Sequence, residues 1–111
     1  PPSQSDIQLA APPAPRPENA TSAQTFPCPG DGFLDEKTIC ANDGLATMDR
    51  RMAEAYRELA QRQPDRRVPT IVRAYAQAAL AKRHACDADV ECIMSILLSE
   101  KLYFSNYRSG N

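Results

Sequence analysis

The chain has 111 residues, which suits one domain and leaves no room for a second sizeable core. Hydrophobic residues make up 42% of it but aromatics only 6%, with no Trp. The core must then come from Ala, Leu, Ile, Val and Met, a composition that favours helices over sheets. A net charge of −1 gives no argument for nucleic acid or an anionic membrane as partner. No run approaches the roughly 20 apolar residues that a membrane span needs.

Residues 1–26 hold six prolines among Ala, Ser, Gln and Thr. Pro blocks helix and sheet hydrogen bonding, and few large apolar groups offset the ordering entropy. An extended, flexible Pro-rich linker is expected, running from an envelope anchor to the domain. The chain opens Pro-Pro without a leader, so an upstream leader or anchor is expected to have been removed. Asn19-Ala20-Thr21 matches a glycosylation acceptor, a motif short enough to arise by chance.

Pro27-Cys28-Pro29-Gly30-Asp31-Gly32 is a turn cluster. A short helix is expected over 33–41, with Asp31 as its cap. Asn42-Asp43-Gly44 interrupts the chain, and Asn42 or Asp43 can cap a second helix over 45–61. There Leu45, Met48, Met52, Ala55, Tyr56 and Leu59 form one apolar stripe, while Arg50, Arg51, Glu54, Arg57 and Glu58 fall on the solvated side. After the loop at 63–66, Pro69 suits the first turn of a third helix beginning near Val68. That helix runs through Ile71, Val72, Tyr75, Ala78, Ala79 and Lys82 to about Ala85, and its Ala-rich face allows close helix contact. A fourth starts near Asp89 and uses Val90, Ile93, Met94, Leu97, Leu98, Leu102 and Phe104. Asp87, Asp89 and Glu91 at its start suit the helix dipole. The tail from Ser105 is expected to fray.

Charge is unevenly spread. From Cys28 to Asp49 five acids face Lys37 alone, and from Arg50 to Arg83 nine basic residues face three acids. From His84 to Glu100 only acids appear. Solvated helix faces account for most such runs, and the sharper reading is an acidic patch at the two cysteine-bearing ends.

The four cysteines, Cys28, Cys40, Cys86 and Cys92, fit an oxidising compartment. Neither spacing is a C-x2-C zinc knuckle, and only His84 could add a nitrogen ligand, so no metal is expected. A C-x-x-C redox motif is absent too. Three pairings remain open. A continuous helix over 86–92 would hold its end Cα atoms about 9 Å apart. A disulfide needs less than about 7 Å, so a Cys86–Cys92 bridge would require a break at Asp87-Ala88-Asp89. The fold expected is all-α: a small bundle of three to four helices stapled by two disulfides over 27–105, with the linker at 1–26 and a frayed tail at 106–111.

No catalytic constellation is legible. His84 lies near a helix C-terminus, where a histidine compensates the dipole, and no nucleophile stands in a recognisable context. Asp35/Glu36 and Asp87/Asp89 lack the cleft and spacing of glycosidase carboxylates. No Gly-rich phosphate loop is present. The reading is a non-enzymatic chain without cofactor.

The run Glu36-Lys37-Thr38-Ile39-Cys40-Ala41-Asn42, followed by Leu45, Ala46, Asp49 and Tyr56, resembles the N-terminal domain of LprI-type lysozyme inhibitors. Arg83-His84-Ala85-Cys86, then Cys92, is similar to that family's later R-x-x-C motif. The resemblance spans roughly 26–98 and is closest in its first half. A Trp common in the family would fall at Ala79, so a smaller core or a groove is expected there. An aromatic and an Arg would fall near Leu97 and Glu100. The resemblance implies the pairings Cys28–Cys40 and Cys86–Cys92. It also gives Asp49, at the edge of the Met48/Met52 stripe, a role as a structural acceptor for a backbone N–H or an Arg, or else as a partner contact.

Two functions follow as expectations. In one, the chain is a periplasmic or secreted binding module that meets a muramidase through an acidic surface carrying Asp35, Glu36, Asp43, Asp49, Asp87 and Asp89. In the other, it is an accessory or structural subunit of a larger cell-envelope assembly, anchored by exposed Tyr103, Phe104 and Tyr107.

Overall fold

The computed structural model describes Phe26, Cys28 and residues 32–108. Residues 1–25 of the linker expected over 1–26, with the Asn19 motif, most of the turn cluster with its Asp31 cap, and residues 109–111 lie outside the described residues.

The described residues form four helices: α1 (Leu34–Ala41), α2 (Asp43–Gln61), α3 (Thr70–Ala85) and α4 (Val90–Asn106). None of them is long and apolar enough to cross a membrane. Each boundary has a local cause. Phe33 stands at the α1 N-cap without a side-chain cap bond. Asn42 separates α1 from α2 in an extended conformation, and its side chain accepts from the Leu45 N–H at 3.0 Å. Pro69, with φ −60°, sits just before α3 rather than inside its first turn. Asp89 caps α4 by accepting from Cys92 N at 3.1 Å. The corner between α3 and α4 is turned by Asp87 at φ 54°, a left-handed conformation that costs a residue with a Cβ. That break brings Cys86 and Cys92 to a Cα separation of 5.6 Å, and their disulfide closes the corner. The second disulfide joins Cys28 to Cys40 at 5.7 Å, tying the turn cluster to the end of α1.

α2 and α4 run in the same direction. Arg62, just past α2, donates to the Phe104 carbonyl at 3.1 Å, and Tyr56 meets Phe104 edge-on with centroids 5.1 Å apart. α3 runs against α4, fixed by the Tyr75–Tyr103 stack at one end and the disulfide at the other. α1 lies across the end where α3 stops and α2 begins. The core consists of Ile39, Leu45, Met52, Ala55, Leu59, Val72, Cys86, Ile93, Leu97 and Phe104. Ile71 is 65% exposed, and α3 buries Val72, Ala79 and Arg83. Val90, Leu98 and Leu102 on α4 also face solvent. α4 continues to Asn106, beyond the expected start of the tail, and Tyr107 packs on the core.

Candidate functional site

Two groups of charged side chains stand out, one buried and one exposed. The buried group centres on Arg83, whose side chain is 4% exposed. Its Nε donates to Asp35 Oδ2 at 2.5 Å, and its terminal nitrogens lie 3.6 Å from Glu36 and 3.8 Å from Asp49. The ring of Phe26 covers the guanidinium at 5.2 Å. Each helix supplies a member: Asp35 and Glu36 from α1, Asp49 from α2, Arg83 and His84 from α3, and Glu100 from α4. Asp35 and Asp49 are fully buried, and Glu100 is nearly so. A planar cation with five donors in a rigid fork can face several carboxylates at once.

Burial pushes the Asp35 carboxyl up. Hydrogen bonds from Arg83 and His84, with their charges, outweigh it and hold the group below its ordinary value. Asp35 is therefore ionised, and His84 Nδ1 donates to its two oxygens at 2.9 and 3.1 Å. Phe33 stacks on the His84 ring at 3.8 Å and 12°, which fixes its plane. The histidine thus does more than offset the α3 dipole: it joins α3 to α1. Glu100 is in the opposite situation. Burial pushes it up to about 7; Arg83 opposes that and the Asp49 charge adds to it. Tyr75 is also raised, by burial and then by the nearby Glu100 and Tyr103.

Arg83 fills the centre of this cluster. Both cysteines near it are disulfide-bonded, and the described residues contain no free thiol. The carboxylates converge on a guanidinium, which occupies the place a reacting group or a cation would need. No group of His, Cys, Asp or Glu arranged to hold a metal occurs among the described residues.

These placements correct part of the expected acidic surface. Asp35 and Asp49 are not available to a partner, because both are sealed inside against Arg83. Asp49 instead faces Arg83 across the helix packing as an ion pair at 3.8 Å. Glu36 is half-buried and turned toward the same Arg. Asp43, Asp87 and Asp89 are exposed. They lie together at one end of the bundle, where α2 and α4 begin and α3 stops, and Glu91 adds a fourth exposed acid.

The expected exposed aromatic trio is also corrected. Phe104 is 1% exposed, at the centre of contacts with Tyr56, Tyr75 and Tyr103. Tyr103 lies flat on Tyr75 at 3.9 Å, and both Tyr103 and Tyr107 are half-buried. A hollow whose lining includes Ala79 lies between α3 and α4. Arg83, His84 and Glu100 were not singled out as site residues from sequence. Each had a signal: Glu100 interrupts the apolar series Ile93, Leu97, Phe104, and Arg83 follows Val72 and Ala79 on the buried side of α3.

With this geometry in place, the chain was compared with known proteins. No protein-family model matches it, and neither does any curated protein or solved structure.

Proposed function

We propose that the chain is a non-enzymatic protein-binding module of an oxidising bacterial compartment, periplasmic, secreted or tethered to the outer envelope. In this reading it is of the LprI type and docks on a basic muramidase. The observation that carries the proposal is the gathering of exposed Asp43, Asp87 and Asp89 at one end of the bundle. Arg83, which stands close by in the last turn of α3, is turned inward and already taken. Two helix N-termini at that end offset part of the negative potential, each equivalent to about half an elementary charge against a full charge on each carboxylate. Such a surface steers a basic partner and fixes its orientation. The two disulfides fit the compartment. Titrating the chain into a lysozyme activity assay at low salt tests the reading. Progressive loss of turnover supports it, and full activity at high micromolar chain refutes it.

A second reading, an accessory subunit of an envelope assembly, draws support from Leu98 and Leu102. Both are more than 40% exposed on α4 beside Tyr103. Leu98→Glu with Leu102→Glu would abolish such an assembly while leaving muramidase binding intact.

A further inference from the structure

The hollow between α3 and α4 has a volume of about 220 Å³ and is lined by Tyr75, Ala78, Ala79, Lys82, Ile96 and Ser99. Its origin is local. Ala78 and Ala79 give α3 only methyl groups where α4 presents Ile96 and the short Ser99, so the helices leave space they do not fill. One end is a rigid wall, since Tyr75 is stacked flat on Tyr103 with 9° between the rings. The other end is Lys82, about 10 Å further along the helix at 1.5 Å per residue. Lys82 is exposed and has no ion-pair partner among the described residues. It is also the only charged side chain in the lining.

We propose that this hollow binds a small aryl carboxylate. The aromatic ring lies on the Ala78, Ala79 and Ile96 surface beside Tyr75, and the carboxylate reaches Lys82 and the Ser99 hydroxyl. Three features select that class. The floor is apolar, the one charge is positive, and the two are a single ring-and-side-chain length apart. The volume falls below the roughly 300 Å³ at which drug-sized pockets begin, which limits the ligand to one ring system. Such a fragment binds in the millimolar range. The site lies along the α3–α4 flank and uses none of Asp43, Asp87 or Asp89, so it does not depend on the muramidase reading.

The probe is indole-3-acetate, titrated to about 10 mM into the full isotope-labelled chain and followed by amide shifts. Saturable shifts confined to the six lining residues and their neighbours are expected. Lys82→Gln should weaken indole-3-acetate up to about fivefold, the range of an exposed ion pair, and leave the neutral indole-3-ethanol unchanged. Ala78→Trp, at an exposed position, should abolish both by filling the hollow. No saturable shifts, shifts centred elsewhere, or equal loss of acid and alcohol in Lys82→Gln would each overturn the proposal.

Discussion

Arg83 and Asp35 meet at 2.5 Å across a separation of 48 residues, with side chains 4% and 0% exposed. A buried pair of this kind is weak support for stability relative to an apolar isostere, because desolvation offsets much of the attraction. Removing one member is another matter. Arg83→Leu takes the guanidinium away from buried Asp35 and Asp49, and a loss of about 3–5 kcal/mol is expected in urea unfolding. Asp35→Asn should cost less, since Glu36 and Asp49 still face the guanidinium. The double variant Asp35→Leu/Arg83→Leu should recover part of the loss, since Asp49 stays buried without the guanidinium, and a strictly additive cycle would contradict the coupling.

Glu100 makes stability depend on pH in a definite direction. Its carboxyl titrates at about 7 when folded, against an ordinary 4.5. A raised acid stabilises the fold while both states are protonated, and the benefit is lost as pH rises from 4.5 to about 7. The loss is of the order of 3 kcal/mol. Glu100→Gln should abolish that decline and exceed the parent in stability above pH 7. Asp35 acts in the opposite sense. Its carboxyl is held low, so its contribution is present above the ordinary Asp range and fades as the medium turns more acidic. Urea midpoints measured across pH for the parent and Glu100→Gln check both signs. A parent whose stability keeps rising through pH 7 would contradict the account.

Among the described residues, two non-glycine positions carry left-handed strain, Asp87 at φ 54° and Arg66 at φ 61°. Arg66 is exposed in the α2–α3 loop. Arg66→Gly should therefore stabilise by up to about 1 kcal/mol, less the entropy that glycine adds to the unfolded chain. Thermal unfolding of that variant against Arg67→Gly, which lacks the positive φ, separates strain relief from a general loop effect.

Each disulfide closes a short loop, 12 residues apart for Cys28–Cys40 and 6 for Cys86–Cys92. Chain entropy then gives about 2–3 kcal/mol apiece, with the longer loop contributing more. Replacing each pair by serine should lower stability in that order. Intact mass should rise by four protons on reduction.

Much of this architecture is legible in the residues. The Leu45–Leu59 stripe, Asn42 as a cap, the end of α3 at Ala85 and the break at Asp87 follow from periodicity and local chemistry. The inward charges were harder to place. Asp49, Arg83 and Glu100 each occupy a core-facing position of their own helix, but periodicity only says that a polar residue stands there. Which partner it meets depends on how four helices dock, and Arg83 reaches α1 only because the Cys86 corner sets the direction of α3. Phe104 shows the same limit. Near the chain end it reads as a free aromatic, yet Arg62 and Tyr56 from another helix enclose it.

The central claim is that exposed carboxylates at the α2/α4 end recruit a basic muramidase. Its most direct test is the association rate of the chain with lysozyme, measured at low salt and again at about 0.5 M salt. The comparison is with the triple variant Asp43→Asn/Asp87→Asn/Asp89→Asn, in which Asn preserves the cap on α4. The account predicts salt-sensitive binding by the parent and a rate at least about tenfold slower for the variant, with its fold unchanged. Equal rates for the two chains, or no binding by either, would contradict it.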